Sequence, residues 1–252
     1  MQTLFQPQGM PTWIGSLPMD SHEAALELML AHTPEIPIWI QLPHFKREGM
    51  IIQFAEGMPG LTRMEDRIYV NDQDDGFDQS LLEFFEAYLA VSGGEQEIAD
   101  SRFSLNKEDA PGFYALMERL ASEKRFFTAV KGQVTGPFTF GTGLVDHEGR
   151  AVFYSDQLRD AAVKMIAMKA RWQVNRMKGF GVPVIVFLDE PALAGFGSSA
   201  FISVSREEID ACFAEVIDAI HQEGGLAGVH VCANAEWAVV LESEADIVSF
   251  DA

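Results

Sequence analysis

Between Phe126 and Phe250 the chain alternates short apolar stretches with longer amphipathic ones. The apolar stretches are 126–134 (FFTAVKGQV), 183–188 (PVIVFL), 226–232 (LAGVHVC) and 245–250 (ADIVSF). Helical spacing fills the gaps, over about 156–178, 205–222 and 235–242. Ser205 and Glu208 open the second of these helices as an S-x-x-E capping box. Earlier in the chain, 12–16 (TWIGS) reads as a strand, Asp20 to about His32 as a helix and 36–42 (IPIWIQL) as another strand. A run that is apolar throughout suits a strand buried on both faces. Strand, helix, strand is a right-handed unit of a parallel sheet.

The expected fold class is therefore α/β. Repeated units favour a (β/α)8 barrel of the TIM type over an open doubly wound sheet, and neither G-x-G-x-x-G nor a Walker pattern speaks for a nucleotide fold. About six core strands can be found where a closed barrel needs eight. The expectation is one barrel domain over 1–252, incomplete at its C-terminal end. Residues 43–111 break the rhythm, with partly helical 44–60, a short strand at 67–70, an acidic turn at 71–76 and a helix from Phe77 to Ala90. They read as a rim or lid elaboration.

Composition limits the partners. Lys+Arg 18 against Asp+Glu 38 gives a net charge of −20, which opposes binding to nucleic acid or an anionic membrane surface. Cys212 and Cys232 are the only cysteines, so no disulfide framework is expected and a reducing cytoplasm is the natural compartment. No apolar run approaches the 18–20 or so residues of a membrane span, and the N-terminus lacks the pattern of a signal peptide.

Polar residues gather where the apolar runs end: Ser16, Gln41 and His44, then Lys131, Gln133 and Thr135, then Asp189 and Glu190, then His230 and Cys232, and finally Asp251. Each has a plain structural alternative: Ser16 can cap a turn, Asp189-Glu190-Pro191 can start a helix, and Lys131 can snorkel. A parallel barrel, however, collects its strand ends into one cavity. His230 and Cys232 are two apart, so in a strand they face the same side. An imidazole and a thiolate converging with the carboxylate of Asp251 would suit Zn2+.

Several motifs together resemble the catalytic domain of cobalamin-independent methionine synthase. They are Ile14-Gly15-Ser16-Leu17-Pro18, Lys131-Gly132-Gln133-Val134-Thr135-Gly136-Pro137, Asp189-Glu190-Pro191-Ala192-Leu193, His230-Val231-Cys232, and Ala245-Asp246 through Asp251. That family shares a superfamily with uroporphyrinogen decarboxylase and the zinc-dependent corrinoid methyltransferases. The resemblance covers nearly the whole chain in the same order, while 41–43 and 53–60 (QFAEGMPG) look like a separate branch. It implies that His230 and Cys232 are zinc ligands and that Asp251 stands where the family has a ligating glutamate. It also implies that Ser16 holds the polar head of an amino-acid substrate and that Asp189 binds the substrate amino group. His44 stands where the family has a substrate-binding glutamate. The family's second zinc cysteine and its proton-donor histidine would fall beyond residue 252.

The expected activity is thus a zinc-dependent S-methyltransferase acting on a small, homocysteine-like thiol, with Lys131, Gln133 and Glu190 as further substrate contacts. Its methyl donor would be a methyl-folate or a methylated corrinoid protein. A thiol is mostly protonated at neutral pH, and a metal with an open position would make it the reactive thiolate. Two other readings remain: a decarboxylase of the uroporphyrinogen type, disfavoured because no strand end offers the arginines that clamp many carboxylates, and a non-catalytic ligand-binding barrel.

Overall fold

The computed structural model describes residues 5–64, 67–123 and 126–251. Helix α1 (His22–His32) starts on the side chain of Ser21, which accepts the amide of Ala24. The expected rim segment contains α2 (Ile52–Ala55), the antiparallel pair β1 (Leu61–Met64) and β2 (Arg67–Val70), and α3 (Phe77–Ser92). Then come α4 (Pro111–Ser122), β3 (Val130–Thr135), α5 (Pro137–Gly143) and α6 (Asp156–Met177). The chain continues with β4 (Val184–Asp189), α7 (Arg206–Gln222), β5 (Leu226–Val231), α8 (Trp237–Leu241) and β6 (Ile247–Phe250).

Strands β3, β4, β5 and β6 form a four-stranded, wholly parallel sheet in chain order. This is the mixed α/β class expected from the apolar runs. The two earlier runs differ from expectation. Residues 12–16 and 36–42 form no continuous ladder; they join through isolated parallel bridges, Ser16 to Gln41 and Ile38 to Lys131. Proline explains part of this, since Pro37 has no amide to donate in a ladder. The bridges still carry the parallel order past β3 on its open side, and the amides of Gln41 and Lys131 donate to Gly15 and Pro37 across them.

Helix α6 packs on one face of β3 and β4 and on α7. Gly132 permits this closeness: a Cβ there would lie 2.3 Å from Oε1 of Gln173 on α6. The opposite, interior face therefore carries Lys131 and Gln133, since alternate residues of a strand share a face. Phe77, Leu81 and Phe84 of α3 belong to the same apolar core as Val134, Val186 and Ile209. The rim segment is thus packed into the core of the sheet. Among the described residues no helix is long and apolar enough to cross a membrane.

Both halves of the capping box form on α7: Ser205 accepts the amide of Glu208, whose carboxylate accepts the amide of Ser205. Ser205→Ala is expected to lower stability by about 1 kcal/mol, measurable by urea denaturation. A change below about 0.3 kcal/mol would mean that the cap contributes little.

Candidate functional site

The register of the sheet sets the site. Thr135 pairs with Asp189, Asp189 with His230, and His230 with Ser249, so one row across four strands is polar throughout. It lies at the C-terminal ends of parallel strands, where open α/β sheets and barrels bind ligands. The row beneath is Gln133, Phe187, Gly228 and Ile247, with Lys131 one step lower on β3. Phe187 lies over Gly228, where a Cβ would sit only 1.8 Å from the ring. The ammonium of Lys131 stands 4.3 Å from the centre of that ring.

Lys131 is fully buried. Its Nζ donates to the carbonyls of Trp13 and Ile14, both at 2.9 Å, and so ties the segment before Ser16 to β3. Burial pulls its pKa down to about 7, and the charge of Asp189 only partly opposes the fall. Burial likewise lifts Asp189 to about 7 against the pull of Lys131. Each group of the pair is driven towards its neutral form because the interior solvates neither charge. Oδ1 of Asp189 is sealed from solvent with no hydrogen-bond partner among the described residues, and so is Oε1 of Gln133.

His230 is buried, and its Nδ1 lies 3.0 Å from the hydroxyl of Ser249, while Nε2 makes no hydrogen bond among the described residues. Burial lowers its pKa, which favours the neutral imidazole, and the nearby carboxylate of Asp251 opposes this. The contact with Ser249 was not anticipated; it follows from the parallel pairing of β5 with β6, which sets Ser249 opposite His230.

The expected zinc ligands are not brought together. Among the described residues, no group of three or more His, Cys, Asp and Glu side chains could hold a metal ion. β5 stops at Val231, and Cys232 lies in a bend beyond it, exposed. The two-residue alternation that was to aim its sulfur beside His230 does not reach it. Asp251 also follows the end of its strand and is exposed. The donor types suit Zn2+, but their placement does not fit a formed centre.

Glu190 was expected to face substrate and is used elsewhere. Its carboxylate is fully buried and accepts the amides of Phe138 and Thr139, at 2.9 and 2.8 Å, and the Thr139 hydroxyl at 2.6 Å. It thus satisfies the free amides at the start of α5, the helix after the neighbouring strand. Burial raises its pKa to about 7, with these three bonds resisting. Gly136 makes the fit possible, because a Cβ there would fall 2.2 Å from the carboxyl carbon.

Ser16 and His44 are both exposed and line a cleft of about 680 Å3 with Leu17, Pro18, Met19, Asp20 and Pro43. Of the expected site residues, Lys131, Gln133, Asp189 and His230 share the interior face, while Ser16 and His44 form this neighbouring rim. Compared with known proteins, the chain matches no family model and no curated relative.

Proposed function

We propose that this chain is an enzyme that binds a small amino-bearing thiol at the C-terminal ends of its parallel strands and transfers a methyl group to the sulfur. In this reading the sheet is a sector of a (β/α)8 barrel, supported by the chain-order parallel strands and by the bridges that continue them. The observation that carries the proposal is Oδ1 of Asp189, a buried carboxylate oxygen without a donor at the end of a central strand. Such an atom costs stability and is retained where a ligand completes it. An ammonium group does so by charge as well as by hydrogen bonding.

The remaining residues fit this substrate. His230, favoured in its neutral form by burial and with Nε2 unengaged among the described residues, can accept the proton of a thiol as the sulfur becomes a nucleophile. Ser16 and His44 line the cleft through which the polar head would enter. The methyl donor is a methyl-folate or a methylated corrinoid protein, as the motif resemblance implies. No step is routed through zinc, because His230, Cys232 and Asp251 do not form one donor set. A decarboxylase of the uroporphyrinogen type gains no support: among the described residues no arginine bonds to Lys131, Gln133, Asp189 or His230.

The test is binding followed by turnover. L-homocysteine is expected to raise the melting temperature and to accept methyl from methyl-tetrahydrofolate or methylcobalamin-loaded corrinoid protein. Binding without turnover by any donor would leave a ligand-binding barrel, and no binding would remove the proposal. Metal analysis decides the zinc question separately: one zinc per chain, lost on Cys232→Ser, would require Cys232 to turn inward from where it lies.

A further inference from the structure

Three buried glutamines form a chain with a fixed direction. It begins at the backbone carbonyl of Asp109, which can only accept a hydrogen bond. Nε2 of Gln53 donates to it at 2.6 Å, so Oε1 of Gln53 must face the other way. There it receives Nε2 of Gln41. Oε1 of Gln41 then faces β3 and receives Nε2 of Gln133 at 3.1 Å. A second anchor agrees: the same Nε2 donates to the carbonyl of Trp39 at 3.0 Å, again a group that only accepts. Turning any one amide over would set oxygen against oxygen at one of its ends. The orientation of these amides therefore follows from the network.

The consequence lies at the head of the chain. Gln133 must present its oxygen, not its NH2, to the interior, and among the described residues that oxygen has no donor. The side chain is fully buried. Gly15 packs against this amide: a Cβ there would fall 2.8 Å from Nε2 and 2.9 Å from Cδ, so glycine is what lets the Gln133 amide lie in this position. One strand over and one step up, Asp189 offers the second buried oxygen without a donor; Gln133 pairs with Phe187 and Thr135 with Asp189, making the two diagonal neighbours on one face.

We infer that Gln133 and Asp189 act together as a two-acceptor receptor for a primary ammonium group, with Gln41 and Gln53 as positioning residues that hold Gln133 in its accepting orientation. A primary ammonium brings three protons and can serve both oxygens; a hydroxyl brings one and serves one. The inference deepens the reading above by making the amine, rather than the sulfur, the feature by which the substrate is chosen.

The test titrates the full chain with L-homocysteine and with 4-mercaptobutanoate, which lacks only the amine. The wild-type protein is expected to prefer homocysteine by roughly 100-fold, and Gln133→Met to reduce that preference roughly 10-fold, the size of one hydrogen bond to a charged group. Side-chain amide NMR gives a readout that needs no variant of Gln133. Its NH2 protons should exchange slowly, and Gln53→Met should shift their resonances. Homocysteine binding whose preference survives Gln133→Met, or freely exchanging Gln133 NH2 protons, overturns the inference and leaves the methyltransferase reading standing. If neither thiol binds, that reading fails, and n-butylammonium decides the receptor alone. Binding weakened by Gln133→Met upholds it, and no binding overturns it.

Discussion

Asp189→Asn is expected to abolish recognition of an amine-bearing ligand while leaving the fold at least as stable at neutral pH. Loss of a buried charge that meets a ligand charge weakens binding by about 2–5 kcal/mol, roughly 30-fold or more. The free protein has no such bond to lose at Oδ1 of Asp189, which has no partner among the described residues. Without the carboxylate, Lys131 sheds its proton at neutral pH instead of standing charged and unpaired in the interior. Isothermal titration and urea denaturation on the same preparation check both halves. A large loss of stability with binding retained would make Asp189 a structural residue.

The pair also sets a pH dependence. Below about pH 7, Lys131 is charged and Asp189 protonated, so an ammonium ligand is repelled; above it, Lys131 is neutral and Asp189 ionised, so the ligand is attracted. Affinity for an amine should therefore rise as pH passes through about 7, and Asp189→Asn should flatten the rise. Stability follows the opposite logic. The folded Lys131 pKa of about 7 lies below its ordinary 10.5, so the folded state holds fewer protons between them and stability climbs with pH across that window. The folded Asp189 pKa of about 7 lies above its ordinary 3.8, so the folded state holds more protons and stability falls as pH rises from 3.8. The pair's contribution is least favourable near pH 7. Unfolding measured at about pH 5, 7 and 9 should show a dip that Asp189→Asn makes shallower on its acid side.

Glu190→Ala is the second large effect and concerns the scaffold. It leaves the Phe138 amide, the Thr139 amide and the Thr139 hydroxyl without their acceptor at the buried start of α5. Unsatisfied buried donors cost about 1–3 kcal/mol each, and partial rehydration offsets some of this. A loss of about 3–5 kcal/mol is expected, against a total stability of about 5–15 kcal/mol for a typical domain. Gly136→Ala should destabilise for the same reason, since its Cβ would displace the carboxylate. Urea denaturation of both variants checks this. A Glu190→Ala protein within about 1 kcal/mol of wild type would return Glu190 to the list of substrate contacts.

The parts of the fold legible in the sequence were those fixed by local chemistry. The run Pro183–Leu188 became β4 because consecutive branched apolar residues suit a strand covered on both faces, and Ser205 with Glu208 started α7 as written. Less legible were 12–16 and 36–42, whose apolar content matched the strands but whose pairing is confined to single bridges. Glu190 was expected among the substrate contacts beside Asp189, but it follows the end of β4 and its carboxylate meets the start of α5, a partner fifty positions away that its neighbours in the chain do not reveal. Gln53 was legible only as part of the run 53–60, since nothing local links it to Gln133, eighty positions away.

By itself, the sequence determined the α/β class, the order of strands and helices from α6 onward, and the concentration of polar side chains at strand ends, because periodicity and capping are properties of neighbouring residues. Only the tertiary structure decided which of those side chains meet. Parallel register places Asp189 between Thr135 and His230, burial strips Lys131 and Oδ1 of Asp189 of solvent, and the end of β5 at Val231 leaves Cys232 outside the row. Those outcomes depend on where strands begin, end and align, which is set by packing between segments far apart in the chain.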